Sequence, residues 1–81
     1  MQVVFNHPLM YVIDYPGQDA VEMLDKRAGR VGLMRGAVAE RFRHDFGIFL
    51  AEERNEEQLE EQLEEFIDAY SAVMDQPVSR H

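Results

Sequence analysis

The spacing of apolar residues changes near the middle of the chain, and this change constrains the fold more than any other feature of the sequence. From Val38 onward apolar side chains recur at steps of three and four, whereas before Gly36 short apolar runs alternate with turn-forming residues. Steps of three and four place side chains on one face of a helix, and short runs between turns are typical of strands. The sequence therefore predicts a β-rich first half followed by helices.

Two helices are predicted in the second half. The first covers about residues 37–53 and contains Gly47, which indicates a close helix approach or a kink because glycine in a helix costs about 1 kcal/mol relative to alanine. Asn55 has the position of an N-cap, and the second helix extends from there to about Met74. Its apolar face consists of Leu59, Leu63, Phe66, Ile67, Tyr70, Val73 and Met74.

Two strands are predicted at the amino terminus. Val3–Phe5 and Met10–Tyr15 are rich in β-branched and aromatic residues and are separated by the turn-forming sequence Asn6-His7-Pro8. Both strands are apolar on both faces, so each side of the sheet needs cover, from the helices or from a second subunit.

Residues 19–34 allow two interpretations. In the first, Asp19 caps a helix whose apolar face ends before Gly29. In the second, Val21–Leu24 and Arg30–Met34 form a β-hairpin, with Gly32 at a bulge or a close approach. The local pattern alone slightly favours the helix.

Composition limits the classes of function. The chain has 81 residues, a net charge of −8 and no cysteine. Disulfides and thiolate chemistry are therefore excluded, and the acidic balance argues against a dedicated nucleic-acid binder. At this length a monomer is marginally stable, so a homodimer is expected. Because the sequence has neither a signal-peptide pattern nor an apolar run of about 20 residues, we expect a cytoplasmic protein without a membrane segment.

Charge is unevenly distributed along the chain. Residues 26–54 carry seven bases and four acids, whereas residues 55–81 carry eight acids and one base. The basic cluster consists of Lys26, Arg27, Arg30 and Arg35. A hairpin would bring the first three of these together near its tip. Contact with nucleic acid is the less favoured interpretation of this cluster, because no aromatic residue lies between Tyr15 and Phe42.

Acidic residues form two ladders at four-residue spacing on the second predicted helix. One ladder consists of Glu57, Glu61 and Glu65, and the other of Glu56, Glu60, Glu64 and Asp68. Repulsion within the ladders costs about 1 to 2.5 kcal/mol. The ladders are either a solvated face whose cost is outweighed by apolar burial, or a surface that meets cations. These cations would belong to a basic partner or to Arg35, Arg41 and Arg43 of a neighbouring subunit.

No motif for catalysis or cofactor binding is present. Glu40 and His44 lie four residues apart, but the HExxH pattern is absent, and a solvated pair is the better interpretation. Ser71 and Ser79 lie in no nucleophile motif, and the glycines form no phosphate-binding loop. We therefore expect no enzymatic activity, no metal and no cofactor.

Five sequence segments together resemble a bacterial family of short single-domain proteins of unknown function. They are MQVVFN-x-P with VIDYP, MLDK, RGAVAERFR and VMDQPVSRH, and the resemblance extends over residues 1–81. It implies strands around Asp25 and Lys26, where the relatives are more β-branched, and it implies no activity.

In the carboxyl-terminal segment, Asp75–His81, we expect Val78 to pack against the core.

The combined prediction is a single α+β domain, in which a small antiparallel sheet of two to four strands is followed by a two-helix hairpin packed on one face. The expected function is that of a cytosolic interaction or regulatory protein that uses the acidic second helix or the basic hairpin. The alternative is a nucleic-acid-associated factor that uses the basic hairpin.

Overall fold

An antiparallel meander followed by two helices forms the computed structural model of this chain, which describes residues 1–71 and 76–77. The strands are β1 (Gln2–Asn6), β2 (Met10–Tyr15), β3 (Ala20–Asp25), β4 (Arg30–Arg35) and β5 (Gln76–Pro77), and the helices are α1 (Gly36–Ala51) and α2 (Glu56–Ala69). Neighbouring strands of the sheet follow the chain order, β1-β2-β3-β4-β5. The α+β prediction, with a sheet before a helix pair, is confirmed.

Residues 20–35 form the hairpin of β3 and β4, which confirms the strands that the family resemblance implies and shows that the helical interpretation is wrong. Asp25 pairs with Arg30 at the end of the ladder, and its Oδ1 accepts the backbone N–H groups of Arg27 at 3.0 Å and Ala28 at 3.4 Å. Gly29 closes the turn at a φ of +65°, which glycine adopts without a steric penalty. Turn chemistry and burial between two strands therefore outweigh the local helical pattern.

The bulge of the sheet lies in β1. Val3 pairs with Ile13 and Phe5 pairs with Val12, so Val4 is an extra residue, whereas β3 and β4 pair in regular register at Gly32. Of the two roles predicted for Gly32, a bulge or a close approach, the bulge is therefore wrong. The register shift turns Phe5 toward the helices, where its ring lies 5.3 Å from that of Phe46.

The core lies between one face of the sheet and the two helices. Its buried members are Met10, Val12, Val21, Met23, Met34, Ala39, Phe42, Phe46, Leu63 and Ile67. Phe42 is 1% exposed, and its ring lies 5.1 to 5.7 Å from three other aromatic rings, those of Phe46, Phe66 and Tyr70. Such a cluster fixes α1 and α2 on the same side of the sheet.

Helix α2 begins as predicted and ends earlier. Asn55 accepts the backbone N–H of Gln58 at 2.8 Å, and the Gln58 side chain accepts the N–H of Asn55, which completes a capping box. The helix ends at Ala69, before the predicted end near Met74, because Tyr70 leaves helical geometry with φ −107° and ψ 13°. Residues 72–74 and the predicted packing of Val78 lie outside the described residues.

Helix α1 is continuous through Gly47. A Cβ atom at this position would meet no atom within 4 Å, so the predicted close approach is wrong. Within residues 1–71 and 76–77, neither α1 nor α2 has the length and the apolar character of a membrane-spanning helix.

Candidate functional site

The sheet has an apolar face that the described helices do not cover. Side chains alternate along each strand, so the residues between the core positions point away from α1 and α2. We call this surface the open face; its apolar members are Val3, Tyr11, Ile13, Tyr15, Leu24, Val31 and Leu33. Val3 is 46% exposed and Leu33 is 49% exposed, whereas Ile13 between them is 9% exposed. The free side of an antiparallel sheet is normally polar, so this apolar surface is unusual for a face in water.

Three charged residues lie on the open face or at its ends. Glu22, in the middle of β3, accepts a hydrogen bond from the Tyr15 hydroxyl at 3.1 Å, and burial together with this bond raises the pKa of Tyr15. Lys26 lies at one end, 5.5 Å from the ring centre of Tyr11. Arg35 lies at the other end, exposed and without an ion pair to any residue that the structure describes.

The turn between β3 and β4 brings three members of the basic cluster together, and Arg35 is separated from them. Arg27 binds Asp25 through Nε at 3.0 Å and Nη2 at 3.2 Å, and its Nη2 also lies 3.1 Å from Asp68 Oδ1 on α2. Burial raises the pKa of Asp25, but the hydrogen bonds and charge of Arg27 outweigh it, so the net shift is downward. Arg30 also has an interaction within the chain, and Arg35 lies about 16 Å along β4. The charge of Arg27 is therefore largely compensated within the protein.

The acidic ladder of Glu57, Glu61 and Glu65 lies exposed on α2, on the side of the molecule opposite the open face. Glu61 and Glu65 also border a shallow groove of about 400 Å³ between the helices, which Phe49, Gln62 and Phe66 complete. The second ladder, which consists of Glu56, Glu60, Glu64 and Asp68, is partly neutralised within the chain, because Asp68 pairs with Arg27.

Two of the three arginines that could meet this ladder in a neighbouring subunit are engaged in their own chain. Arg41 pairs with Asp45 at 3.2 Å, and Arg43 pairs with Asp14 at 2.8 Å and with Asp19 at 3.2 Å. Among these three arginines, Arg35 is the one without an ion pair in the described residues, so it is the one that could meet the ladder of a neighbouring subunit.

Comparison with known proteins agrees with the resemblance found in the sequence. The family model described as a protein of unknown function (DUF3567) matches residues 1–81. The chain belongs to the DUF3567 family. Neither a curated protein nor a solved structure matches it. Membership in DUF3567 therefore identifies relatives of the chain but indicates no function for it.

One polar cluster of this DUF3567 chain was not found from the sequence. His7, Glu56 and Glu60 place their ligand atoms within 4.8 Å of one another, and His7 is 8% exposed. His7 and Glu56 are 49 residues apart in the chain, so no spacing motif indicates the pair. The cluster links the β1–β2 turn to the first turn of α2.

The protonation state of His7 argues against a metal in this cluster. His7 Nδ1 accepts the backbone N–H of Leu9 at 3.1 Å, so the proton of the neutral ring lies on Nε2, which donates to Glu56 Oε2 at 3.0 Å. A histidine that binds a metal usually coordinates through one nitrogen and donates a proton from the other. In His7, the nitrogen that faces the carboxylates, Nε2, carries the proton, and the other nitrogen, Nδ1, accepts a hydrogen bond. This is the reverse of what coordination through Nε2 would require. In the DUF3567 fold we therefore assign His7 a structural role between the turn and α2.

Proposed function

We propose that this DUF3567 protein is an interaction protein without catalytic activity, and that two copies associate through their open faces. The observation that carries the proposal is the apolar open face. Burial of apolar surface contributes about 25 cal/mol per Å², and Val3 and Leu33 leave roughly half of their surface in water in a single copy. A second copy removes both faces from water at once.

Charge on the open face favours a second copy as the occupant. In a dimer with two-fold symmetry, each contact between two different residues occurs twice. Glu22 and Arg35 lie on the same face, and Arg35 has no ion pair within the part of the chain that the structure describes. A two-fold arrangement allows Arg35 of each copy to pair with Glu22 of the other, so the face is complementary to itself.

The size of the open face predicts a weak, reversible dimer. Four strands about 4.8 Å apart and six residues long present roughly 380 Å² on each copy. Both faces together give about 800 Å², which is below the roughly 1,200 Å² at which stable specific interfaces begin and falls in the range of weak, transient contacts. We therefore expect the oligomeric state to depend on protein concentration.

The dimer leaves the acidic ladder of Glu57, Glu61 and Glu65 exposed on both outer sides. We propose that a basic protein binds there, in the cytoplasm of a bacterium, since the family resemblance is to bacterial proteins. The nucleic-acid alternative has less support, because Asp25 and Asp68 compensate Arg27 and because Arg35 lies far from Lys26 and Arg30.

Charge reversal at the open face tests the dimer. Molecular mass would be measured by sedimentation equilibrium over a range of protein concentrations, with circular dichroism as the check on folding. We expect the wild type to dimerise, Glu22→Arg and Arg35→Glu to be monomeric, and the double variant to dimerise again. The control is Glu57→Arg, which changes charge equally on α2 and should leave the dimer intact. A monomeric wild type, or single variants that dimerise like the wild type, would contradict the proposal.

A further inference from the structure

Gly47 has no packing or backbone requirement in the described structure. It lies inside α1, where glycine is less favourable than alanine. A Cβ atom would meet nothing within 4 Å, and the φ angle of Gly47 is not positive. The missing side chain therefore destabilises the helix without relieving a clash. Its structural consequence is the space that it leaves next to α1.

Gly47 borders an apolar pocket of about 180 Å³ between α1 and the sheet. Its apolar walls are Val4, Val12, Val21, Phe42, Phe46 and Leu50. Val4 and Leu50 are 41% and 46% exposed, whereas the other four are nearly fully buried, so the pocket is open to solvent and lined by core residues at its base. The pocket lies on the helix side of the sheet and does not involve the open face.

The β1 bulge contributes to the pocket. The register shift between Val3 and Phe5 makes Val4 the extra residue of β1, and Val4 lines the pocket while Phe5 packs on Phe46. Two successive residues of one strand therefore reach the helix side, which regular alternation would not allow. A bulge and a helix glycine thus meet at the same pocket.

One polar atom at the pocket is available to a ligand. Asp14 and Arg43 also line the pocket, and Arg43 is held by Asp14, Asp19 and the backbone carbonyl of Ala20. Both hydrogen bonds that Asp14 accepts from Arg43 go to Oδ1, at 2.8 and 3.3 Å. Asp14 Oδ2 accepts no hydrogen bond within residues 1–71 and 76–77 and is not buried, so a ligand that donates a hydrogen bond to it would replace water.

We propose that this pocket binds a small molecule with a compact apolar body and one hydrogen-bond donor, with the body against Gly47 and the donor on Asp14. The volume sets the size of the body, since an apolar cavity of about 150 Å³ accommodates a benzene ring. Asp14 sets the chemistry of the polar end, because a carboxylate oxygen accepts and does not donate.

Benzyl alcohol is a suitable probe, and benzyl methyl ether is its matched control without a donor. Each would be titrated into the full chain labelled with ¹³C at valine and leucine methyl groups. We expect saturable shifts confined to Val4, Val12, Val21 and Leu50. The alcohol should bind about 2- to 12-fold more tightly than the ether, which corresponds to one hydrogen bond.

Substitutions at Gly47 test the pocket itself. Gly47→Ala should raise Tm by about 4 to 8 °C, because the methyl group enters open space and favours the helix. Gly47→Leu should remove the saturable shifts by filling the pocket. The control His44→Leu places the same side chain at an exposed position of α1 outside the pocket and should leave binding unchanged. Binding that survives in folded Gly47→Leu, or equal affinity for the two probes, would overturn the proposal.

Discussion

The Tyr70 hydroxyl donates a hydrogen bond to Asp45 Oδ2 at 2.7 Å and thereby joins the end of α2 to α1. Burial and this hydrogen bond raise the pKa of Tyr70 from 10.0 to about 12, and the same bond lowers the pKa of Asp45. The contact also holds the Tyr70 ring edge-on against Phe42. The end of α2 is therefore fixed by a polar contact as well as by the core.

This pair predicts a loss of stability in alkali. The folded pKa of Tyr70 lies above its unfolded value, so the contribution is complete below pH 10 and is lost as the pH rises to about 12. Tyr70→Phe should lower the free energy of unfolding at pH 7 by about 1 kcal/mol and should lose less stability over that pH range. Urea denaturation at several pH values measures both effects. Parallel stability profiles of the two proteins above pH 10 would refute the assignment.

The hairpin turn should depend on the carboxylate of Asp25. Asp25→Ala removes the acceptor of two backbone N–H groups and the partner of Arg27, so we expect a loss of about 2 kcal/mol in the free energy of unfolding. Asp25→Asn retains an acceptor oxygen and should cost less. Urea denaturation of the three proteins gives the comparison, and an Asp25→Ala variant as stable as the wild type would contradict this role.

Asp25 should also make the protein sensitive to acid. Its folded pKa is lowered from 3.8, so its contribution is present above pH 3.8 and is lost as the pH falls through the folded value. The side chain of the Asp25→Asn variant does not titrate, so this acid-dependent loss of stability is absent from the variant. The stability difference between wild type and variant, followed by chemical denaturation from pH 6 downward, should therefore shrink below about pH 4.

Phe42 should be the most sensitive position of the aromatic cluster. Phe42→Ala leaves a cavity among Phe46, Phe66 and Tyr70, and we expect a cost of about 3 to 5 kcal/mol, close to the whole stability of a small domain. Val38→Ala on the same helix is the control, because Val38 is 47% exposed and should change stability by less than about 0.5 kcal/mol. Thermal unfolding of both variants measures the difference, and similar Tm values would contradict this description of the core.

The His7 cluster should not respond to metals. Since Nδ1 accepts from Leu9 and Nε2 donates to Glu56, we expect Tm to remain unchanged on addition of Zn²⁺ or EDTA. His7→Asn retains an acceptor near the Leu9 N–H and should be more stable than His7→Ala. A rise in Tm with Zn²⁺ in the wild type that His7→Asn abolishes would show that the cluster binds the metal.

The second half of the fold is predictable from local sequence because its signals agree. The amphipathic spacing of α2 and the capping residues Asn55 and Gln58 indicate the same element. Residues 20–35 give conflicting local signals, since the spacing of Ala20, Val21 and Leu24 also fits a helix. Pairing with β2 decides in favour of strands, and this pairing depends on residues that are distant in the sequence.

The surfaces are less predictable than the fold. Strand alternation indicates two apolar faces in β2, but the side on which the helices pack becomes apparent only in three dimensions. Arg27 binds Asp68, 41 residues away, in addition to its neighbour Asp25, and His7 binds Glu56, 49 residues away, so the sequence alone treats these residues as available when they are paired. The pocket at Gly47 depends on a bulge at Val4, which leaves no mark in the sequence.

The edges of the sheet limit how the protein can assemble. At one edge the bulge in β1 interrupts the regular series of backbone donors and acceptors. At the other, β5 covers Arg30 and Val31, and Pro77 has no N–H to offer a further strand. Addition of strands from other copies is therefore impeded at β1 and at the Arg30–Val31 end of β4, which favours assembly into a closed pair over growth into filaments.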